Sequence, residues 1–167
     1  IQKYESALAH DPNNYPITLN LAVTYDNMAN PHDVAGNDST RPANAEELQQ
    51  KAAGYYKKAI DLKPDDYAAN FNLAIMYYND AVKFGKQANS LGSSPAEQHK
   101  ADSLIKIQNQ LLDNALPYLE KAYQLLDAKD KLTNNELIAY KSTLTGLKQL
   151  YARKNELDKS NEMKTKL

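Results

Sequence analysis

The sequence predicts an all-α protein built from repeated pairs of helices, and three observations support this. Glycine and proline are scarce, at 5 and 7 of 167 residues, and long segments place apolar residues at helical spacing. No segment alternates apolar and polar residues with a period of two, so no strand is predicted. The segment 56–77, a helix end, a proline turn and a second helix, recurs in weaker form at 4–25. Such internal repetition indicates a helical-repeat array.

Composition narrows the functional class. The net charge is -1 and the basic residues are dispersed, so we expect no binding of nucleic acid or of an anionic membrane. No apolar run approaches the roughly 18 residues of a membrane helix. Cysteine is absent, which excludes disulfides, thiol catalysis and zinc thiolate sites. The chain begins at Ile1 rather than at Met, which suggests a fragment or a processed form, so a missing targeting signal carries no information.

The first half of the chain is predicted to form four helices. A short helix is predicted to about His10, and the next from Tyr15 to about Ala29. A loop with two prolines and a glycine follows at 30–43, and Asn44 with Glu47 resembles a capping pair that opens a helix to about residue 63. The fourth helix is predicted to start at 65 or 66 and to continue to about residue 88.

The second half begins with the segment Ser94-Pro95-Ala96-Glu97, a strong helix start with a cap residue and proline at the first position. The helix that follows is predicted to reach about Leu126, twice the usual length, with a kink at Pro117. Its apolar stripe needs a partner, and the prolonged fourth helix is the nearest candidate. The stripe consists of Leu104, Ile105, Ile107, Leu111, Leu112, Ala115 and Leu116.

Two more helices complete the chain. Thr133 and Glu136 form a capping pair that predicts a helix to about residue 154. A closing helix at 156–167 has a polar outer face, which suits the end of an array.

Equivalent positions define the repeat register. Pro12 and Pro64 are 52 residues apart, and Ala59 and Ala122 are 63 residues apart. Against a two-helix period of about 34 residues, the units carry insertions of about 18 and about 29 residues. The insertions fall between helices or lengthen one, and leave the spacing inside each packing face intact.

These residues resemble the tetratricopeptide repeat (TPR) family. Each repeat of this family has two helices, A and B. The pattern on helix A is matched twice, by Leu21, Ala22, Tyr25 and by Leu73, Ala74, Tyr77. The pattern on helix B and the proline after it are also matched twice, by Ala52, Tyr56, Ala59, Pro64 and by Tyr4, Ala7, Pro12. Small residues one turn apart let helices approach, and the tyrosine fills the adjoining space. The last unit departs from the pattern, with Lys148 at a small-residue position.

The resemblance implies an α-α superhelix, a right-handed solenoid of antiparallel helix pairs, with one extended helical hairpin. It divides the chain into a partial repeat at 1–12, a first repeat at 15–66, a second at 67–128, and a third repeat or cap at 131–167.

The resemblance also implies a binding groove on the concave face, lined by the A helices. In this register the lining residues are Leu19, Asn20, Val23, Asn27, Phe71, Asn72, Ile75, Tyr78, Asn79, Thr145, Gln149 and Arg153. Apolar contact area mixed with amides suits a peptide main chain. A subset of the family grips C-terminal carboxylates with Lys and Asn. Only Asn72 matches that clamp, since Leu19, Val23, Ser142 and Gly146 occupy its other positions.

Residues able to support catalysis or bind metal are few. His10, His32 and His99 lie in different elements. His32 shares a loop with Asp33 and Asp38, but the spacing fits no EF-hand, and a solvated polar loop is the favoured interpretation. No phosphate loop or nucleophile motif occurs. We therefore expect no enzymatic activity, no cofactor and no metal.

Two functional classes remain. The favoured one is a non-catalytic scaffold that binds a protein or peptide partner through the concave face. The alternative is a structural or assembly subunit, self-associating or part of a larger cell-envelope complex, whose groove is filled by its own or a neighbouring chain. The Lys-rich, Asn-rich composition resembles that of bacterial TPR proteins, many of which work in the cell envelope, so that compartment is favoured by analogy and the cytoplasm stays open.

Overall fold

The computed structural model describes residues 1–31 and 40–167, and these form helices joined by short turns. No strand occurs in the described part of the chain, which confirms the all-α prediction. Every predicted helix is present within two residues of its expected limits. The helices are α1 (Gln2–His10), α2 (Tyr15–Ala29), α3 (Ala45–Leu62), α4 (Tyr67–Asn89), α5 (Pro95–Asp127), α6 (Asn134–Arg153) and α7 (Leu157–Lys166).

Both capping boxes predicted in the second half are present. At α5 the Ser94 hydroxyl accepts from the Glu97 main-chain N–H at 3.4 Å, and the Glu97 carboxylate accepts from the Ser94 N–H at 3.2 Å. At α6 the corresponding distances for Thr133 and Glu136 are 3.4 and 2.8 Å. The Lys129 ammonium and the Thr133 donors lower the pKa of Glu136 to about 2, so this cap stays charged at any ordinary pH.

The predicted cap at Asn44 is wrong. Its side chain forms no capping bond, because its main chain (φ -95°, ψ 21°) is not in the extended conformation that aims a cap side chain at the first turn. Glu47 instead pairs with Lys51 at 2.7 Å. Asn14 caps α2 and was not predicted to do so; its side-chain oxygen accepts from the Ile17 N–H at 3.1 Å. Most of the loop predicted at 30–43 lies outside the described residues.

Helix α5 continues through Pro117, with helical residues on both sides, for 33 residues in all. Proline has no N–H, so the main-chain carbonyl of Asp113 lacks its usual donor four residues on. The Pro117 ring lies on the exposed face. The missing main-chain hydrogen bond therefore lies on the exposed side of α5, away from the core.

The chain forms two compact units, residues 1–72 and 73–167, so the residues of α4 are divided between them. In the first unit α2 packs against α1 and α3. Small residues at this contact, Ala22, Ala52 and Ala59, are fully buried, which lets the helix axes come close. Tyr25 and Tyr56 fill the space beside them.

In the second unit α6 packs against both α5 and α7. One apolar cluster joins these helices to the end of α4, and consists of Ala74, Ala81, Leu112, Leu119, Leu144, Leu147, Leu150, Tyr151 and Met163. Further along, a Cβ added to Gly85 would lie 2.3 Å from Nε2 of Gln108. A larger residue there would have to displace the Gln108 side chain, so α4 and α5 lie close together at this crossing. The extended end of α4 thus contacts the long helix, as predicted, but Ile105 and Ile107 of the predicted stripe are exposed rather than covered.

Two polar contacts, one from the helix on each side, hold Tyr25 in the first unit. Its hydroxyl donates to Oε1 of Glu5, on the helix before it, at 2.7 Å. The Lys51 ammonium, from the helix after it, lies 5.6 Å from the centre of its ring. Burial and Glu5 raise the pKa of Tyr25 to about 12. We call this arrangement a Glu–Tyr–Lys set.

The second unit contains the same arrangement around Tyr151. Its hydroxyl donates to Oε1 of Glu120 on α5 at 2.8 Å, and the Lys159 ammonium of α7 lies 5.1 Å from the ring centre. The glutamate again comes from the preceding helix and the lysine from the following one. A hydrogen bond to a charged acceptor contributes about 1.5–3 kcal/mol, so each set ties three successive helices together.

Removing the Tyr151 hydroxyl tests the second set. We expect Tyr151→Phe to lower the free energy of unfolding by about 1 kcal/mol, because Glu120 loses a donor while the ring remains. Urea denaturation followed by circular dichroism measures this. The control is Tyr118→Phe, because the Tyr118 ring packs at a tilt against Tyr77 but its hydroxyl has no partner among the described residues. Equal losses for both variants would contradict the assigned role.

High pH should unfold the protein over a defined range. Burial and Asp127 raise the pKa of Tyr140 to about 12, as burial and Glu5 do for Tyr25. A phenol with a raised folded pKa stabilises the fold fully below about pH 10, the pKa in the unfolded chain, and this stabilisation is lost as pH rises to about 12. Helical ellipticity should therefore fall together with a rise in phenolate absorbance. Phenols that titrate near pH 10 with full helicity would disprove this.

Candidate functional site

An open pocket of about 300 Å³ lies in the second unit between α4, α5 and α6. Leu119 of α5 forms its floor with Gly146 of α6, and both residues are buried. The other walls come from exposed or half-buried side chains of α4 and α6. The complete lining is Ile75, Tyr78, Leu119, Lys141, Ser142, Thr145 and Gly146.

The depth of the pocket depends on Gly146. A Cβ built at this position would lie 3.1 Å from Cδ1 of Leu119, closer than ordinary van der Waals contact. The missing side chain therefore lets α6 approach α5 and leaves the space above the contact open. One residue thus serves both the core packing and the shape of the surface.

The rim of the pocket is polar. The Tyr78 hydroxyl donates to Oε1 of Gln149, which holds the tyrosine ring along the wall, and burial raises the Tyr78 pKa. The Thr145 hydroxyl donates to the Lys141 carbonyl at 2.9 Å. Lys141 is the one charged residue in the lining, and no acidic side chain lines the pocket.

The structure brings together part of the predicted lining. Ile75, Tyr78 and Thr145 line one pocket, and Gln149 is bonded to Tyr78. Arg153 lies elsewhere, since its guanidinium donates to Oδ1 of Asn109 at 2.5 Å on α5. It borders a separate depression of about 460 Å³ with Asn109, Leu112, Asp113, Leu150 and Lys154. Asn79 is exposed and does not line either space.

The remaining predicted lining residues belong to the first unit. Asn20 and Asn27 are exposed, while Leu19, Val23, Phe71 and Asn72 are half-buried. The Asn20 carbonyl accepts from the Thr24 hydroxyl at 2.7 Å. These residues present a mixed apolar and amide surface on α2 and on the first turns of α4.

Lys141 was not identified in the sequence, and Ser142 and Gly146 were considered only as positions where a carboxylate clamp fails. Helical spacing contained the signal, because Lys141 and Ser142 precede Thr145 and Gly146 by four residues and share their face of α6. Leu119 is fully buried in the core, and its side chain also provides the floor of the pocket.

Other kinds of site receive no support from the described residues. They contain no group of three or more His, Asp or Glu placed to hold a metal ion. The loop residues His32, Asp33 and Asp38 lie outside the described range. None of the described helices is both long and apolar enough to cross a membrane.

No protein-family model, curated protein or solved structure matches this chain. Its function is therefore inferred from the geometry of its own residues.

Two of the helical glycines, Gly54 and Gly146, give a matched test of the pocket floor. Gly54 is exposed in α3, and a Cβ there meets nothing within 4 Å. Gly54→Ala should stabilise the fold by about 0.5–1 kcal/mol, since alanine favours the helix. Gly146→Ala should not show this gain, because its methyl presses on Leu119. Chemical denaturation measures both, and an equal gain at Gly146 would disprove the close-contact argument.

Proposed function

We propose that this protein is a non-catalytic, TPR-like interaction module that binds a peptide segment of a partner protein at the pocket between α4 and α6. The pocket itself carries the proposal, because it combines an apolar floor with hydroxyl and amide groups at its rim. Pockets of a few hundred Å³ with few convergent polar groups are typical binding sites.

The two Glu–Tyr–Lys sets support the repeat part of the proposal. Tyr25 and Tyr151 occupy the same position in the repeat register, and Glu5 and Glu120 each precede a register-equivalent alanine by two residues. Unrelated helical hairpins would have no reason to place glutamate, tyrosine and lysine on three successive helices in the same order. The simplest explanation is that each unit contains one copy of a common repeat.

The rim chemistry supports a peptide as the ligand. Gln149 offers an amide that both donates and accepts, and Ser142 and Thr145 add hydroxyls. A peptide main chain presents N–H and C=O groups in alternation, so these side chains can bond to it without selecting a sequence. The floor of Leu119 and Gly146 then receives one apolar side chain of that peptide.

The lining favours binding over catalysis. The hydroxyl side chains of the pocket are those of Tyr78, Ser142 and Thr145, and the lining contains no carboxylate or imidazole that would activate them.

A second candidate, an assembly subunit, is favoured by one observation. Ile105 and Ile107 of α5 are 39% and 40% exposed, in the part of the helix that exceeds an ordinary repeat. An apolar pair on such an extension suits contact with another chain. A concentration-dependent mass in light scattering would support this candidate.

Blocking the pocket tests the proposed function. Purified protein is used to select binders from a library of random linear peptides displayed on phage, and selected peptides are then titrated against variants. Thr145→Arg should weaken binding at least tenfold, because a long charged side chain fills the space above Gly146.

The matched control is Thr165→Arg on α7. Thr165 is also exposed, and its hydroxyl donates to the carbonyl four residues earlier at 2.9 Å, as that of Thr145 does. Thr165→Arg should bind like the wild type. Selected peptides that bind Thr145→Arg at full strength would place the site elsewhere and overturn the proposal.

A further inference from the structure

We propose that the pocket selects an acidic peptide segment, in which an aspartate or glutamate lies within two residues of a large apolar side chain. This inference rests on the proposed function and specifies the partner of the same site. It assigns the apolar side chain to the floor formed by Leu119 and Gly146, and the acidic side chain to Lys141.

The charge of the pocket supports the acidic residue. Lys141 lies at the edge of the pocket, and its ammonium has no ion-pair partner among the residues that the structure describes. Some exposed lysines of the second unit are paired, as Lys154 is with Asp113 at 2.5 Å, and others, such as Lys121, are not paired with any described residue. Lys141 differs from both kinds because it is the one charged residue that lines the pocket. An uncompensated charge beside an apolar floor attracts a ligand of opposite charge and repels a basic one.

Exposed apolar residues continue the pocket along both walls. On α6, Ile138 is 65% exposed and shares a face with Ser142 and Thr145. On α4, Val82 is 37% exposed and follows Ile75 and Tyr78 on one face. Each lies seven residues from a lining residue, or about 10 Å along its helix. The ligand is therefore a segment with more than one apolar residue rather than a single side chain.

A free C-terminal carboxylate is a poorer match to the same charge. Gripping one takes several donors on successive helices, and the α6 positions that would supply them are Ser142 and Gly146. Lys141 alone is a single flexible ammonium, which suits an acidic side chain within a segment. A peptide with a blocked C-terminus should therefore bind as well as a free one.

Charge reversal gives the decisive experiment. Random linear peptides displayed on phage are selected in parallel on the wild-type protein, on Lys141→Glu and on Lys121→Glu. Lys121 is an exposed lysine of α5 outside the pocket lining, so it serves as the control. Wild type and Lys121→Glu should enrich peptides with an apolar residue near an acidic one. Lys141→Glu should enrich apolar residues near Lys or Arg instead.

Affinities then measure the contact directly. The leading wild-type peptide is synthesised with a C-terminal amide, together with a version in which its acidic residue is replaced by the corresponding amide. The replacement should weaken binding to the wild type by about two- to fivefold at low salt, the range of an exposed ion pair. It should have no such effect on Lys141→Glu, and circular dichroism confirms that the variants fold.

The outcomes separate this inference from the proposed function. Enrichment of apolar peptides without acidic residues, blocked by Thr145→Arg, would overturn the acidic ligand and keep the peptide site. Failure to enrich any peptide on the wild type would count against both. A stable dimer that is broken by Thr145→Arg would identify a second copy of the chain as the occupant and would also overturn this inference.

Discussion

The close contact between Gly146 and Leu119 is the constraint on which the second unit depends. Leu119 is fully buried, and the backbone of Gly146 lies against it because no side chain intervenes. Core positions of this kind are sensitive, since removing a buried leucine side chain typically costs about 2–5 kcal/mol. The same contact sets the distance between α5 and α6, and with it the width of the pocket above. Packing and recognition are therefore linked through one position, and a change that relaxes the core there also reshapes the surface.

In the proposed repeat register, equivalent positions share a framework and differ in polar detail. Glu5 and Glu120 each precede a buried or half-buried alanine by two residues, but the equivalent residue before Ala59 is Lys57. The tyrosine of that register, Tyr77, packs against Tyr118 with tilted rings whose centres are 6.3 Å apart. Tyr25 also stacks on a neighbouring ring, that of Tyr55, at 5.7 Å. Aromatic packing is therefore found at the first and middle positions, while the acid–phenol bond is found at the first and last. Aromatic pairs contribute about 0.5–1.5 kcal/mol beyond their burial.

The sequence predicted the helices well because their signals are local. Capping pairs such as Thr133 and Glu136, and apolar residues at helical spacing, act within a few residues of where they are read. The prediction of a cap at Asn44 was wrong because capping depends on main-chain angles that residue type alone does not determine. The pocket was only partly predictable. Ile75 and Tyr78 followed from the register. Helical spacing put Lys141 one turn before the predicted Thr145, but whether it lines the pocket depends on which face of α6 meets α5. That is a tertiary property, set by Gly146 and Leu119 from separate parts of the chain.

The turn between α4 and α5 differs from the helices on either side of it. Gly85 and Gln108 lie in contact where the two helices cross, and Ser94 caps α5. Between them, residues 90–93 are exposed except for Leu91. Exposed turns of this kind tolerate insertions. This tip, ahead of the Ser94 cap, is accordingly the natural place to attach a fluorescent reporter or an affinity tag.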